Sequence, residues 1–284
     1  MNNKVWYITG ASKGLGLALV KKLLQQGYKV AATTRNLDDL KNAVGSGSAN
    51  FLPLTVALTE EASVAKSINE TIKHFGSIDV VVNNAGYGLV GALEELSDAE
   101  SRTNFEVNVF GTLNVIRQVM PHLRKQQSGH IFNIASIGGF TGNFPGFGIY
   151  CATKFAVHGL TESLAAEAQL FGIHATVVSP GYFRTNFLDS GSLAVPKAPI
   201  ADYVNVRSVQ DTHQQSINAN QPGDPDKAAD VMIEVAAMQN PPIHLFLGQD
   251  AYDIAAQKIA AVQSDLSLMQ EAATSTAFEE VMMN

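Results

Sequence analysis

The feature that most constrains this chain is an alternation. Short apolar runs, Val5 to Thr9, Lys29 to Thr34, Phe51 to Val56, Ile78 to Asn83, His130 to Ala135, His174 to Ser179 and His244 to Leu247, are separated by longer stretches of helical period. Most of the runs are rich in Val, Ile and Phe without regular polar alternation, which predicts strands covered on both faces. After the first, Leu15 to Gln26 carries Leu15, Leu19 and Leu23 at helical spacing, with Gly27 where a helix stops. Thr59 is placed as the N-cap of another helix, with Glu60 and Glu61 facing the positive end of its dipole. Strands alternating with helices are joined by right-handed crossovers, so the pattern predicts an α/β protein with a three-layer, doubly wound, seven-stranded parallel sheet. Ligands of such sheets bind outside the carboxyl ends of the strands.

Two segments leave the rhythm. The stretch 182–225 holds Gly191, Pro196, Pro199 and Pro222 among scattered apolar and polar residues, and is too long for an ordinary connection. It is expected to be a substrate loop or lid inside one enlarged domain, 1–284. The stretch 250–284 is expected to be a C-terminal helical extension, Ala-rich and helical from Tyr252 to about Glu280. Hydrophobic residues at 46% and charged residues at 16% exclude a mainly disordered chain. A net charge of -7 gives no overall attraction to nucleic acid or anionic membranes, so neither is expected as a partner. Cys151, the only cysteine, allows no internal disulfide and is expected to be a small buried residue in a reducing compartment. Without a leader pattern before Val5 or an apolar stretch of spanning length, the expected location is cytoplasmic.

Directly after the first run comes Thr9-Gly10-Ala11-Ser12-Lys13-Gly14-Leu15-Gly16, a glycine-spaced turn opening into a helix. Glycines allow close backbone approach, so the helix N-terminus can present N–H groups to a pyrophosphate. Such a turn also occurs with no ligand, but its place at the first strand of a parallel alternation favours a dinucleotide. The acid that reads an NAD ribose about 20 residues further on is missing, because the second run ends Thr33-Thr34-Arg35-Asn36. Arg35, with Lys13 as a second positive charge, suits a 2'-phosphate, which points to NADP(H), although either residue alone reads equally as a solvated surface charge.

These residues, with Asn83-Asn84-Ala85-Gly86, Asn108 in Val-Asn-Val-Phe-Gly, Ser136, Tyr150-x-x-x-Lys154 and Pro180-Gly181, resemble the short-chain dehydrogenase/reductase family in the family's order, up to about Thr185. The resemblance implies a Rossmann fold and an oxidoreductase. It implies a cofactor site of Gly10, Ser12, Lys13, Gly14, Leu15, Gly16, Arg35, Leu58, Asn84, Ala85, Gly86, Tyr150, Lys154, Pro180, Gly181, Phe183 and Thr185. Tyr150 and Lys154, four apart, share one helix face. A neighbouring ammonium is expected to bring the phenol's pKa, ordinarily near 10, toward the working range. By resemblance, Ser136 holds the substrate oxygen beside Tyr150, Lys154 binds the nicotinamide ribose, and Asn108 helps hold a proton-relay water. Asn108 also reads as an amide kinking its own helix. One departure is clear: Ala57-Leu58 stands where the family has Asp-Val or Asp-Leu, so an adenine hydrogen bond should be lost.

The reaction implied is NADPH-dependent reduction of a ketone or aldehyde to an alcohol, or its reverse, with Tyr150 as proton donor. Its rival is a non-catalytic NADP(H) sensor on the same fold. Candidate substrate residues lie just past the strand ends: Tyr87, Leu89, Gly138, Phe140, Phe144, Tyr182, Phe187 and Leu188. They imply an apolar or aromatic small-molecule carbonyl compound, although loop aromatics also serve as packing. Asp189-Ser190-Gly191 resembles a serine-hydrolase fragment but lacks the strand-to-helix elbow. The histidines, His122, His130 and His158 among them, show no paired spacing with Cys or acids, and no metal is expected. A homo-oligomer is left open: by resemblance, the helices of Asn108 and Tyr150 would pair, while the C-terminal segment can cover other surfaces.

Overall fold

The structure is a computed structural model and describes residues 4–45 and 47–278. Its elements run β1 (Val5–Ile8), α1 (Gly14–Gln25), β2 (Lys29–Thr34), α2 (Leu37–Val44), β3 (Phe51–Thr55), α3 (Glu61–Phe75), β4 (Val80–Asn83), β5 (Gly88–Leu89), α4 (Asp98–Phe105), α5 (Gly111–Gln126), β6 (Gly129–Ile134), α6 (Gly148–Ala168), β7 (Ile173–Pro180), β8 (Leu193–Ala194), α7 (Val204–Asp211), α8 (Pro225–Val235), β9 (His244–Leu247) and α9 (Gln249–Thr274). Seven strands form one parallel sheet in the order β3-β2-β1-β4-β6-β7-β9. Strand order reverses at β1 and β4, and the crevice that opens there at the carboxyl ends is where such a sheet takes its ligand.

Period-two alternation sends successive side chains to opposite layers. Trp6 and Ile8 pack with Leu19 and Leu23 of α1 and Met232 of α8, while Tyr7 between them packs with Val64 and Ile68 of α3. Both faces are therefore dry, which is why the strands read as unbroken apolar runs. The helix starts follow local chemistry: Asn36 Oδ1 accepts from Asp38 N at 3.1 Å, and Ser97 with Glu100 forms a capping box on α4. Thr59 does not cap α3. The N-cap is Glu60, without a side-chain bond, and Ser63 Oγ turns back to accept from Ala57 N at 3.0 Å.

The stretch 182–225 is less irregular than its composition reads. Its ends are clasped by a bridge between Phe183 and Gly223, with Gly223 N donating to Tyr182 O and Arg184 N to Gly223 O. Inside it lie β8, α7 and a π turn at Thr212–Ile217, and β8 pairs in parallel with β5 across the mouth of the crevice. The C-terminal helix ends at Thr274, short of the expected Glu280, and 279–284 lie outside the described residues.

Candidate active site

A cleft of about 740 Å³ runs along the carboxyl ends of the strands, from the glycine turn to the clasped loop. At its first end Thr9 locks β4 onto the turn. Thr9 Oγ1 accepts from Asn84 N at 3.0 Å and Ala85 N at 3.1 Å, and Asn84 Nδ2 donates to Thr9 O and Gly10 O at 2.9 Å each. A Cβ on Gly10 would sit 2.7 Å from Ala85 Cα, and one on Gly16 2.5 Å from Asn84 Nδ2, so both close approaches need glycine. Gly10, Ser12, Gly14 and Leu15 line the cleft at the start of α1, which has no acidic residue in its first turn and no side chain capping it. Uncapped N–H groups at a helix start fit the pyrophosphate of a dinucleotide. Gly16 stands behind the wall rather than on it.

Arg35 is exposed at the end of β2 and lines the same end, beside the buried Thr34. Lys13 does not stand free beside it. Its Nζ donates to Gly191 O at 3.0 Å, tying the glycine turn to the clasped loop. Ala57 and Leu58 form apolar wall where the family's acid is missing, and Leu58 O is held by Asn114 Nδ2 at 2.8 Å.

At the other end, helix α6 carries Tyr150 and Lys154 on the face turned to the cleft, 7% and 4% exposed. Lys154 Nζ donates to Ile134 O at 2.8 Å and lies 5.8 Å from the centroid of the Tyr150 ring. The Ser136 hydroxyl lies beside the Tyr150 ring and accepts from Gly138 N at 3.1 Å. Burial pulls the Lys154 ammonium down to about 8. Against the expectation, burial pushes the Tyr150 phenol above its ordinary value, and the nearby Ser136 hydroxyl only partly draws it back. Desolvation of a phenolate outweighs an ammonium that sits over the ring rather than at the oxygen.

Asn108 lies in a π turn, Glu106–Phe110, between α4 and α5. Its amide clamps the backbone of Tyr87, accepting from Tyr87 N and donating to Tyr87 O, both at 3.0 Å, and donates to Thr153 Oγ1 at 3.1 Å. It stands behind the wall, holding the strand end against α6. A Cβ on Gly86 would lie 3.0 Å from Asn108 Oδ1 and 3.4 Å from Lys154 Nζ, so this glycine keeps the approach to the lysine open.

Ala85, Pro180, Gly181, Phe183 and Thr185 line the cleft between its ends, and Tyr87, Gly138, Phe144, Tyr182, Phe187 and Leu188 line it around Tyr150. Leu89 and Phe140 do not: Leu89 is buried in β5, and Phe140 packs edge-on to Phe246 at 5.1 Å. Sequence reading missed His213 and Gln221. His213 Nδ1 faces Val209 O at 2.7 Å, which leaves Nε2 to accept the Tyr182 hydroxyl at 2.9 Å. Gln221 lines the cleft, buried, with Oε1 unpartnered among the described residues. Neither has a local spacing that marks it. Cys151 is buried and its thiol is pushed up to about 11. In the hydrolase-like fragment, Asp189 accepts from Asn186 Nδ2 and Asn218 Nδ2, both at 2.8 Å, and staples the loop. The histidines do hold one spacing with an acid: His158 and Glu162, four apart on α6, meet His244 of β9 with ligand atoms within 4.8 Å of one another. His158 Nε2 is already paired with Ser179 Oγ at 2.9 Å.

Residues 4–193 match the family model described as short chain dehydrogenase. The chain belongs to the short-chain dehydrogenase/reductase family. As a member it is an NAD(P)(H)-dependent oxidoreductase. It is 36% identical to an oxidoreductase of Botryotinia fuckeliana over 253 residues, 89% of this chain and 91% of that one. It is 34% identical to 3-ketodihydrosphingosine reductase of Bacteroides thetaiotaomicron, over 87% of this chain and 89% of that one. Among solved structures it is similar to a short-chain dehydrogenase from Streptomyces avermitilis, with TM-score 0.88, 33% identity, and coverage of 96% of this chain and all of that one. It is also similar to an alcohol dehydrogenase from Thermococcus sibiricus complexed with 5-hydroxy-NADP, with TM-score 0.67, 26% identity, and coverage of 86% of this chain and 95% of that one. Among the described residues of this short-chain dehydrogenase/reductase, no helix is long and apolar enough to cross a membrane.

Proposed function

We propose that this chain is an NADPH-dependent reductase of apolar ketones or aldehydes, with Tyr150 as the proton donor. The observation that carries the reading is the placement of a buried Tyr150 phenol between Ser136 and an apolar wall of Phe144, Phe147, Phe187 and Leu188. A phenol pushed above its ordinary pKa is protonated at neutral pH, as a donor must be. In reduction, the nicotinamide supplies the hydride to the carbonyl carbon when bound. Tyr150 gives its proton to the carbonyl oxygen, and the Ser136 hydroxyl donates a hydrogen bond to the same oxygen as charge develops there. Lys154, a cation near neutral pH, stabilises the phenolate left behind. Asn108 and Gly86 keep the lysine's surroundings polar and open. Arg35 is the residue that would hold a 2'-phosphate, and the cradle of Gly10, Ser12 and Gly14 the pyrophosphate.

The clasped loop serves as the substrate lid, contributing Tyr182, Phe187 and Leu188. Its lining favours an apolar chain or ring beside the carbonyl, in keeping with the name of the Bacteroides thetaiotaomicron relative. The decisive experiment is steady-state NADPH oxidation over a panel of ketones and aldehydes of rising chain length, with wild type and Tyr150→Phe. Turnover that grows with apolar length and falls by about 10²–10⁴-fold in the variant is expected. NADPH binding without turnover across the panel, or an equally active variant, overturns the reading.

A further inference from the structure

Strands β7 and β9 end level with each other: Pro180 pairs with Leu247, and Gly181 N donates to Leu247 O at 2.9 Å. Gly248, at φ +97°, then turns the chain into α9. The turn brings Asp250, in the first turn of that helix, against the end of β7, where its Oδ2 accepts from Tyr182 N at 2.6 Å. The carboxylate is wedged in place. A Cβ on Gly181 or on Gly248 would run into its oxygens, so both glycines leave the space that it fills. A carboxylate at a helix start is favoured by the dipole, and its bond to an N–H is roughly twice as strong as one between neutral groups. The helix behind it is fixed in turn, because Ala251 and Ala255 are buried with Ile137, the residue after Ser136.

Tyr182 is held at three points by separate segments. Asp250 takes its N–H, Gly223 N donates to its carbonyl oxygen at 3.0 Å from the far end of the clasped loop, and its hydroxyl faces His213 Nε2 at 2.9 Å in the π turn of that loop. Burial, and after it the Asp250 carboxylate, raises the Tyr182 phenol, which therefore stays protonated and donates to the imidazole. Tyr182, His213 and Tyr150 all line the same cleft. Of the three anchors only Asp250 comes from outside 182–225, from beyond residue 193, where the match to the family model ends. It therefore decides where the first residue of the loop stands on the sheet that carries the site.

We propose that Asp250 is a positioning residue for carbonyl reduction: through the backbone of Tyr182 it sets the root of the clasped loop, and with it the fit of the substrate beside Tyr150. The proposal rests on the reductase reading of the cleft. Asp250→Ala removes the acceptor, whereas Asp250→Asn keeps an acceptor oxygen. Asp250→Ala should raise the KM for the carbonyl substrate about tenfold, leave kcat within about twofold and the KM for NADPH within about threefold, and Asp250→Asn should recover most of the loss. A variant that only folded less well would lose kcat through its folded fraction and keep both KM values. Amide hydrogen exchange at Tyr182 reads the bond without turnover: it should be slow in wild type and Asp250→Asn and about tenfold faster in Asp250→Ala. An unchanged carbonyl KM in Asp250→Ala, an Asp250→Asn variant no better than Asp250→Ala, or equal exchange at Tyr182 in wild type and Asp250→Ala overturns the inference. A wild type that turns over no ketone or aldehyde overturns the reductase reading instead, and the exchange rates then decide whether Asp250 holds Tyr182.

Discussion

Tyr150 and Lys154 are both buried, and burial moves them in opposite directions, the phenol up and the ammonium down to about 8. Their protonated forms coexist below about pH 8. As pH rises through that value Lys154 loses the charge that supports the phenolate, so the rate of carbonyl reduction should be level from pH 6 to 7.5 and decline above about 8. A kcat profile measured with saturating NADPH checks this, and a level rate to pH 10 would remove Lys154 from the proton step. Arg35 makes a separate test at the other end of the cleft. A charge-assisted contact to phosphate is worth roughly 1.5–3 kcal/mol, so Arg35→Ala should raise the KM for NADPH about 10–100-fold and leave that for NADH within about threefold. An equal loss for both cofactors would mean that Arg35 reads no phosphate. The meeting of these three residues in one cleft was legible in the sequence because each follows a strand or shares a helix turn with its partner. The direction of the Tyr150 shift was not, since it depends on how much protein surrounds the ring.

Strands and helices were legible because the sheet is covered on both faces, so each strand is a run of apolar residues and each connection has a helical period. The loop 182–225 was legible only as an interruption. Its order comes from contacts far away in the chain. Glu95, whose side chain is fully buried, accepts from Ala92 N at 2.7 Å and from Ile200 N at 2.7 Å, and pairs with Arg207 of α7 at 2.6 Å. No spacing in the sequence announces partners 105 and 112 residues apart. Arg207→Met should leave Glu95 buried with its cation gone, at a cost of about 3 kcal/mol in the docking of the loop. Because the loop supplies cleft wall while the residues beneath Tyr150 do not move, the expected result is a raised KM for the carbonyl substrate. NADPH affinity should change little, and limited proteolysis should cut first within 195–215. Unchanged protease resistance would show that Glu95 does not hold the loop.

At the scale of the molecule, the sheet that positions the site also carries part of its sensitivity to acid. His130 of β6 stacks on Phe132 with ring centroids 4.0 Å apart, and its Nε2 faces Thr176 Oγ1 at 2.9 Å on the neighbouring strand β7. Thr176 gives its own proton to Pro242 O at 2.6 Å, so its oxygen is left to accept from the imidazole. Burial holds His130 down to about 3 and His158 down to about 4, and both are neutral in the folded protein throughout the weakly acidic range. Unfolded, each takes a proton near pH 6.5. The sign follows: the unfolded chain binds more protons below 6.5, so stability falls as pH drops from about 6.5 toward 4, by about 1.4 kcal/mol per pH unit for each histidine once the unfolded form is fully charged. Urea unfolding at pH 7, 6, 5.5 and 5 should show that decline before most carboxylates titrate. His130→Leu fills the same apolar space without a titrating group. It should be weaker at pH 7 by the lost Thr176 bond, about 1 kcal/mol, yet lose only about half as much stability as wild type between pH 6 and 5. Parallel pH curves for the two proteins would mean that the acid sensitivity lies outside the central sheet.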